Sequence, residues 1–390
     1  MSLTHLRAGV IGTGFIGPVH IEALKRLGIQ VVAVCDTDAN AQAAAARFGI
    51  PNPIGGFKYQ QLVEHPEVDV VHVASPNRLH AEHSLAALAA GKHVVCEKPL
   101  AMTSQETAKI VAAVRAARRV FAVNYNLRFY AALQTLRAMV AEGQFGRIIH
   151  VNGSYFQDWL FHDTDYNWRL LPKEGGRLRA LADIGTHWLD AVNFVLGDHV
   201  SEVLADLGIH HKTRRRPLGE VKTFSGKVEN QRYQKYQVET EDFASVLLRY
   251  AGGAHGTVSV SQVAAGRKNE LRLEIYGEKQ SAWWDSETPE QLTFGHRDTP
   301  NQVAIRGAAG FSREEVRPFM DYPAGHVEGF ADSFKMQMRA IYTRIAAGKG
   351  TPLFATVEDG DMEVRLCEAI LASHEARRWK SVAGVKARKT

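Results

Sequence analysis

The stretch RAGVIGTGFIGPVHIEALKRLGIQVVAVCD, residues 7–36, decides the fold of the first part of the chain. It predicts an apolar strand, a glycine-rich turn, a helix and a second apolar strand that ends at Asp36. The turn GTGFIG (12–17) has the pattern GxGxxG, and Asp36 follows its last glycine by 19 residues. A strand, this turn, a helix and an acidic residue in that order indicate a dinucleotide-binding βαβ unit.

Each glycine of the turn has a physical task. Gly12 permits the tight turn, Gly14 lets the backbone approach a pyrophosphate, and Gly17 lets helix and strand pack closely. The pyrophosphate is expected to rest on the N–H groups at the start of the helix. We expect Asp36 to accept hydrogen bonds from the adenosine ribose and, because Thr37 follows rather than Lys or Arg, to favour NAD over NADP. The other residues assigned to this cofactor loop are Thr13, Phe15 and Ile16.

The alternation of strands and helices continues to about residue 126. Short apolar strands with intervening helices predict parallel strands that are covered on both faces. We therefore expect residues 1–126 to form an α/β domain with a doubly wound parallel sheet of the Rossmann type. The predicted strands lie at 7–12, 31–36, 68–75, 93–99 and 119–125.

The pattern changes in residues 127–390. Successive β-type runs with hairpin-like breaks, such as Gly252-Gly253, predict a large, mostly antiparallel open sheet. Helical patterns interrupt these runs, so we expect an α+β domain that binds the substrate. The predicted strands lie at 147–156, 242–251, 254–264 and 269–277, and the helices at 130–142, 181–196, 326–347 and 358–378.

The composition excludes several protein classes. With 45% hydrophobic and 23% charged residues, the chain is neither disordered nor fibrous. The net charge is +5, but residues 208–237 and 377–390 each carry an excess of six positive charges, so the remainder is mildly acidic. No nucleic-acid-reading module accompanies these charges, and no run of 18 apolar residues is present, so we expect neither a nucleic-acid partner nor a membrane partner.

The three cysteines, Cys35, Cys96 and Cys367, are odd in number and form no CxxC pair. This pattern is typical of free thiols in a reducing compartment rather than of a disulfide framework or a zinc site. No secretion signal is recognised at the N-terminus. We expect a cytoplasmic protein without a bound metal.

Taken together, several segments resemble the glucose–fructose oxidoreductase / inositol dehydrogenase / rhizopine-catabolism (Gfo/Idh/MocA) family over nearly the whole chain. The resemblance implies a nucleotide-binding domain joined to an α+β domain whose open sheet commonly forms homodimers or homotetramers. It also implies reversible oxidation of a sugar or polyol carbinol by a pyridine nucleotide. The segments are GTGFIG (12–17), SPNRLHAEHSLAALAAGKHVVCEKPLA (75–101), NLRFY (126–130), GQFGRI (143–148), LADIGTHWLD (181–190), TEDFASVLLRYAGGAHGTVSVSQ (240–262) and GHVEGF (325–330).

Three residues are the predicted catalytic set. Asp183 and His187 lie four residues apart in a predicted helix, so both side chains can point into one cleft, and the resemblance places both in the active site. An imidazole can take the hydroxyl proton near neutral pH, and a carboxylate can orient it. Lys98 ends a parallel strand, where ligands bind, and the resemblance makes it the catalytic lysine that polarises the hydroxyl. The sequence leaves open whether Lys98 or His187 is the formal base.

Other site residues are implied mainly by the resemblance. Asp190, on a similar face of the same helix, is interpreted as structural. The implied cofactor-site residues are Ser75, Asn77, His80, Glu97 and Lys98. The substrate-side candidates are Arg128, Tyr155, Trp168, Arg169 and His326, with Asp158 and Trp159 as weaker ones.

The sequence thus predicts an NAD-dependent dehydrogenase that oxidises a secondary carbinol of a sugar, sugar derivative or polyol. An NAD-dependent, redox-assisted glycosidase of the same superfamily is the alternative, and a non-catalytic nucleotide sensor is a third possibility that the catalytic residues disfavour. The basic segment 210–237 is interpreted as a solvated loop, with an anion-binding lid as the sharper alternative.

Overall fold

The computed structural model describes residues 3–218, 232–307, 311 and 313–386. The chain divides into two compact units. The first contains Met1–Phe129 and Gly329–Val364, and the second contains Tyr130–Glu328 and Arg365–Thr390. Among the described residues, no helix has both the length and the apolar character needed to cross a membrane.

The first unit is built on a six-stranded, fully parallel sheet in the order β3-β2-β1-β4-β5-β6. This order confirms the predicted doubly wound Rossmann architecture. The strands are β1 (Arg7–Ile11), β2 (Gln30–Cys35), β3 (Asn52–Ile54), β4 (Val70–Val73), β5 (His93–Cys96) and β6 (Phe121–Val123). The helices are α1 (Ile16–Arg26), α2 (Asp38–Phe48), α3 (Tyr59–Val63), α4 (His80–Ala89), α5 (Ser104–Ala117) and α9 (Phe330–Ala347).

Local sequence explains the ends of these helices. Thr103 and Glu106 form a capping box at the start of α5, in which each side chain binds the other residue's backbone N–H. Thr37 caps α2 by accepting from the N–H of Asn40, and α2 ends at Gly49 in the left-handed conformation. These caps fix where each helix leaves the sheet, and therefore where the loops at the strand ends lie.

A later segment of the chain returns to the first unit, which the predicted division at residue 126 does not include. The N–H of Val123, in edge strand β6, donates to the carbonyl of Ala355 at 2.8 Å. Gly360 packs so closely on Val123 and Leu100 that a Cβ there would lie 2.7 Å from the Val123 side chain. Segment 329–364 therefore covers apolar surface that strands of the first 129 residues leave open.

The second unit contains a nine-stranded sheet in the order β16-β15-β14-β13-β7-β12-β11-β8-β17. All neighbours are antiparallel except β7 and β12, which confirms the predicted open, mostly antiparallel sheet. Its strands are β7 (Ile148–Phe156), β8 (Val200–Gly208), β11 (Phe243–Tyr250), β12 (His255–Ser261), β13 (Glu270–Gly277), β14 (Ser281–Asp285), β15 (Gln291–Gly295), β16 (Gln302–Ile305) and β17 (Lys380–Ser381). A separate hairpin is formed by β9 (Thr213–Pro217) and β10 (Tyr233–Gln237). The helices of this part are α6 (Ala131–Ala141), α7 (Pro172–Gly175), α8 (Thr186–Leu196) and the long α10 (Val357–Ala376), which begins in the first unit.

Helix α8 is fixed on the buried face of this sheet by Trp188. Its fully buried indole N–H donates to the carbonyl of Arg272 in β13 at 2.8 Å. The indole lies over Gly153 of β7, where a Cβ would approach the ring nitrogen to 2.2 Å. Glycine is therefore required at this point of the strand. The anchored indole sets the position of the residues just before it, including His187.

Candidate active site

The glycine-rich loop joins β1 to α1 in a tight turn. Gly12 has φ +94°, and a Cβ at this position would lie 2.4 Å from the carbonyl oxygen of Ala74. A Cβ at Gly17 would lie 2.1 Å from the carbonyl oxygen of Gly12. At Gly14, by contrast, no heavy atom of the described chain lies within 4 Å of the position of a Cβ. The first and last glycines therefore serve the protein's own packing, whereas Gly14 faces open space.

Asp36 lies at the end of β2 beside this loop and is largely buried. Its Oδ2 accepts from the Thr13 N–H at 2.7 Å and from the Thr13 hydroxyl at 3.0 Å. Its Oδ1 accepts from the Thr37 N–H at 2.7 Å and from the Asn40 amide at 3.1 Å. These contacts hold the carboxylate against the loop. Since a carboxylate offers about four acceptor sites in all, a ribose hydroxyl would have to share or displace one of them.

The loop and the start of α1 fit a dinucleotide. Helix α1 begins at Ile16, its N-cap residue Phe15 makes no side-chain capping bond, and its first turn carries no acidic residue. The N-terminal N–H groups and the open space at Gly14 suit a pyrophosphate. The exposed ring of Phe15 lies at the same end of the loop. The residues of this loop are therefore of the right kind and in the right local arrangement for a dinucleotide.

A buried chain of polar groups ends at Glu97, directly after β5. Tyr342 O–H lies 2.9 Å from His72 Nε2, and His72 Nδ1 lies 2.9 Å from His20 Nδ1. His20 Nε2 lies 2.8 Å from Glu97 Oε1, which also accepts from the side-chain amide of Asn124. Because an ionised Glu97 can only accept, His20 Nε2–H donates to Glu97 Oε1.

The charge on Glu97 is stabilised against its burial. Burial alone raises the pKa of this carboxyl group, but the hydrogen bond and charge of His20, with Lys98 and Asn124, hold the pKa below its usual value. Burial, with His20 nearby, keeps the pKa of His72 well below its usual value. The negative end of this hydrogen-bonded series is therefore Glu97, next to Lys98. The backbone N–H of Lys98 lies 3.3 Å from Glu97 Oε2.

The remaining predicted cofactor residues lie around the same strand ends. Lys98 and Pro99 are joined by a cis peptide bond. His80 is buried, with Nδ1 2.7 Å from the Pro99 carbonyl and Nε2 2.8 Å from the Ser75 carbonyl, so it links two neighbouring loops. Burial lowers the pKa of His80. Asn77 is buried in the turn just before α4. His80 thus has a packing role in addition to the predicted one.

In the second unit, Asp183 and His187 lie at the start of α8, as predicted, but the backbone is not a continuous α-helix there. Residues Leu181–Gly185 form a π-helical turn, and α8 proper begins at Thr186. Such turns are rare and occur often at functional sites. The expected spacing of four residues therefore spans a change of helix type.

Each carboxylate oxygen of Asp183 has a partner. Gln262 Nε2 donates to Oδ2 at 2.8 Å, and Arg169 Nε lies 3.1 Å from Oδ1. Tyr155 lies edge-on to His187 with ring centroids 6.4 Å apart, and its O–H donates to Asn269 at 2.8 Å. Burial and the charge of Asp183 raise the pKa of Tyr155 far above its usual value, so this phenol stays protonated.

Four of the predicted residues thus form one cluster, Asp183, His187, Tyr155 and Arg169, and Trp168 joins them through Arg169. The Arg169 guanidinium carbon lies 4.4 Å from the centre of the Trp168 ring. The cluster presents a carboxylate, an imidazole, a phenol and a guanidinium near one helix end. This combination can bind hydroxyl groups and exchange a proton with one of them.

The other candidates contact different partners. Arg128 is buried in the first unit, 3.5 Å from Asp359. His326 is exposed, and its carbonyl accepts from Arg306 at 2.6 Å. Asp158 accepts from Lys268 at 2.7 Å, and Trp159 donates to Gln157 at 2.7 Å. Asp190 is buried on α8, as expected for a structural residue.

The solvated-loop interpretation of 210–237 fails at Arg214. In the described part of this segment, β9 and β10 form a hairpin, and Arg214 is fully buried. Arg215 is exposed and pairs with Asp163 at 2.7 Å. Residues 219–231 lie outside the described residues. Two of the eight basic residues of this segment, Arg214 and Arg215, are therefore used in ion pairs.

Gln262, His20 and Asn124 contact predicted site residues but were not among the candidates. Gln262 directly follows β12, and Asn124 directly follows β6. A polar residue at a strand end is a signal that could have identified both. His20 lies on α1 facing the sheet, and no local pattern distinguishes it from a core histidine. Among the described residues, no group of three or more His, Cys, Asp and Glu side chains is arranged to hold a metal ion.

Two sequence models match the chain. Residues 6–125 match one described as an oxidoreductase family with an NAD-binding Rossmann fold, and residues 133–283 match one described as the GFO/IDH/MocA C-terminal domain. The levoglucosan dehydrogenase of Pseudarthrobacter phenanthrenivorans is 29% identical over 99% of this chain and 100% of that protein. The myo-inositol 2-dehydrogenase of Thermotoga maritima is 26% identical over 96% of this chain and 97% of that protein. A solved structure of levoglucosan dehydrogenase with NADH and levoglucosan covers 97% of this chain and all of its own, at 27% identity and a TM-score of 0.85.

Proposed function

Because the chain belongs to the Gfo/Idh/MocA family of NAD-binding oxidoreductases, we propose that it is an NAD-dependent dehydrogenase of a secondary carbinol in a sugar, sugar derivative or polyol. The observation that carries the proposal is the clamped carboxylate of Asp183 beside His187 at the π turn. The substrate class is supported by two relatives that match over nearly their full length and are named levoglucosan dehydrogenase and myo-inositol 2-dehydrogenase.

In the proposed reaction, His187 takes the hydroxyl proton of the substrate. Asp183, held by Gln262 and Arg169, stabilises the imidazolium that forms and keeps the ring oriented. Tyr155 stays protonated and lies edge-on to His187, so it limits the ring's freedom. Arg169, with Trp168 under its guanidinium, is placed to bind a second hydroxyl group.

In the first unit, we assign Lys98 the role of a hydrogen-bond donor that stabilises alkoxide character on the substrate hydroxyl. Glu97, which directly precedes Lys98 in sequence, keeps its negative charge through His20 and Asn124. When NAD is bound, its nicotinamide ring supplies the acceptor for the hydride that leaves the carbinol carbon. Loss of that hydride and of the proton taken by His187 leaves a ketone.

We propose NAD rather than NADP as the cofactor. The support is the carboxylate of Asp36, which would repel a 2′-phosphate at the end of β2. Asp36→Ala should therefore reduce the difference between the affinity for NAD and the affinity for NADP, both measured by calorimetric titration. Equal affinities in the unmodified protein would contradict the assignment.

Two further features remain proposals. Homodimers or homotetramers through the open sheet are supported by the exposed Phe243 and Leu247, which lie on one face of β11. A cytoplasmic location is supported by three free cysteines. Multi-angle light scattering measures the first, and a monomer at micromolar concentration would contradict it.

The direct test is NADH absorbance when the protein and NAD meet a panel of anhydrosugars, inositols, aldoses, sugar acids and glycosides. We expect steady NADH formation with at least one member, and loss of turnover with retained NAD binding in Lys98→Ala and His187→Ala. The exposed residues Lys109 and His199 give matched control variants, Lys109→Ala and His199→Ala, which should keep full activity. Glycoside cleavage without net NADH would instead support the redox-assisted glycosidase.

A further inference from the structure

A series of buried, hydrogen-bonded polar side chains, called the polar chain below, ends at the Asp183 carboxylate. The proposed reaction does not explain why these side chains are present. Gln262 is fully buried and stands at the centre of the chain. Its Oε1 accepts from Arg179 Nη1 at 2.8 Å, and its Nε2 donates to Asp183 Oδ2 at 2.8 Å. Because a guanidinium can only donate, the amide oxygen must face Arg179 and the N–H must face Asp183. The orientation of the Gln262 amide is therefore determined by Arg179.

Arg179 is held in turn by groups on the segment between β10 and β11, which carries Thr240 and Asp242. Its Nε lies 3.3 Å from the Thr240 hydroxyl, and its Nη2 donates to Asp242. Burial raises the pKa of Asp242, but Arg179 and Arg214 outweigh it and hold that pKa below its usual value. The neighbouring carboxylate of Glu241 accepts from the N–H groups of Arg179 and Leu181, at the start of the π turn.

The far end of the chain lies in the β9–β10 hairpin. Arg214 Nη2 donates to Asp242 Oδ1 at 2.7 Å and to the Leu160 carbonyl at 2.9 Å, and its Nη1 donates to the His162 carbonyl at 2.9 Å. One basic residue of the hairpin is thus buried and shares its carboxylate partner with Arg179. The path from hairpin to Asp183 runs through Arg214, Asp242, Arg179 and Gln262 without a gap.

We propose that Gln262, Arg179 and Arg214 are positioning residues that fix the Asp183 carboxylate, so that the β9–β10 hairpin controls the geometry of the acid/base pair. This inference rests on the proposed role of Asp183 and His187. The buried amide supplies a donor on Oδ2 opposite the Arg169 contact on Oδ1. Without it the carboxylate can rotate away from its position, and misplacement by about 1 Å can cost about 100-fold in rate.

The first test compares Gln262→Met with Gln262→Glu in the full chain. Gln262→Met removes both hydrogen bonds, and kcat should fall about 10- to 100-fold while KM and NAD affinity stay within about 2-fold. Gln262→Glu keeps the side-chain shape and the acceptor for Arg179 but loses the N–H donor, so kcat should fall at pH 8. A role in packing alone predicts normal kcat for Gln262→Glu, which would overturn the proposal.

The pH profile of Gln262→Glu gives a rescue within the same variant. A carboxylate beside a second carboxylate binds a proton at a higher pH than an isolated one does. At lower pH the introduced glutamate therefore carries an O–H that can donate to Asp183. The kcat of Gln262→Glu relative to the unmodified protein should therefore rise as the pH falls from 8 to 6. A constant ratio across this range would contradict the donor role.

The hairpin is tested with Arg214→Met against Arg216→Ala. Arg216 lies on the same strand and is exposed, with its guanidinium 5.2 Å from the Tyr166 ring. Arg214→Met should lower kcat, whereas Arg216→Ala should leave it unchanged. Equal kcat values in the two variants, whether both normal or both reduced, would refute the specific role of Arg214.

One readout needs no substrate and separates this inference from the proposed function. In protein with ¹³C-labelled histidine, the ring signal of His187 is assigned by its loss in His187→Gln. The charged and titratable groups of its cluster are Tyr155, edge-on to the His187 ring, and Asp183, which is paired with Arg169. The shift of this signal is followed as a function of pH. Gln262→Met should move the midpoint, and Arg216→Ala should not. An unmoved midpoint in Gln262→Met overturns the positioning role even if dehydrogenase activity is found. A moved midpoint without NADH formation on any substrate leaves the positioning intact and refutes the proposed function.

Discussion

Alanine at Gly14 and at Gly12 should separate cofactor binding from stability. At Gly14 the new methyl group meets open space and φ lies outside the left-handed region, so the unfolding free energy should stay the same or rise by about 0.4–1 kcal/mol. The same methyl group occupies the space expected for the pyrophosphate. NAD affinity should therefore fall at least about 10-fold, or about 1.4 kcal/mol.

At Gly12, by contrast, alanine should lower the unfolding free energy. A side chain at φ +94° costs about 1–2 kcal/mol, and the 2.4 Å approach to the Ala74 carbonyl adds about 1–3 kcal/mol of overpacking. Gly12→Ala should thus lower the unfolding free energy by about 2–5 kcal/mol. The control is Gly49→Ala, which has φ +66° but no neighbour within 4 Å among the described residues and should leave NAD affinity unchanged. Urea unfolding and calorimetric titration measure the two quantities. A Gly14→Ala variant that binds NAD normally would refute the assignment of the loop.

Three further predictions follow from buried groups. Burial and the charge of Asp36 raise the pKa of Cys35 to about 12, and burial raises that of Cys96 further, so a thiol reagent at pH 8 should label neither until the protein unfolds; labelling of either in the native state contradicts this. Trp188→Phe removes the donor to a backbone carbonyl and should cost about 1–3 kcal/mol in urea unfolding, and a cost near zero would count against this anchor. His20→Phe removes the group that lowers the pKa of Glu97. Since a lowered carboxyl pKa stabilises the fold above the unfolded value of about 4.3, the stability loss should be large at pH 7 and shrink toward pH 3; a loss that is independent of pH would contradict it.

Local patterns were sufficient to predict the Rossmann unit. The loop 12–17, the strand pattern and Asp36 lie within 30 residues of one another, and the physics of glycine and of helix N-termini applies to them directly. The short edge strand β3 was missed because Asn52–Ile54 includes Pro53 and has no apolar run. The return of segment 329–364 to the first unit depends on packing between distant parts of the chain, which no local pattern encodes.

The second unit was predicted less completely. Strands β14 to β16 are short, and β8 lies in a mixed polar stretch, so only the longer alternating runs were recognised. The residue pair Asp183 and His187 was found from spacing and from the family resemblance. Gln262, which contacts Asp183, lies 79 residues beyond it in sequence, and no local pattern predicts a contact over that separation. The burial of Arg214 runs against its basic neighbourhood, because a composition count cannot identify a buried carboxylate partner such as Asp242.

In the proposed reaction, a hydride leaves a carbinol carbon of the substrate and reaches NAD. The most direct measurement uses a substrate deuterated at that carbon, with mass spectrometry of the nicotinamide product. We expect one deuterium in NADH for each ketone formed, and no deuterated NADH with His187→Ala. Consumption of the substrate with no deuterium accumulating in the nucleotide would contradict it.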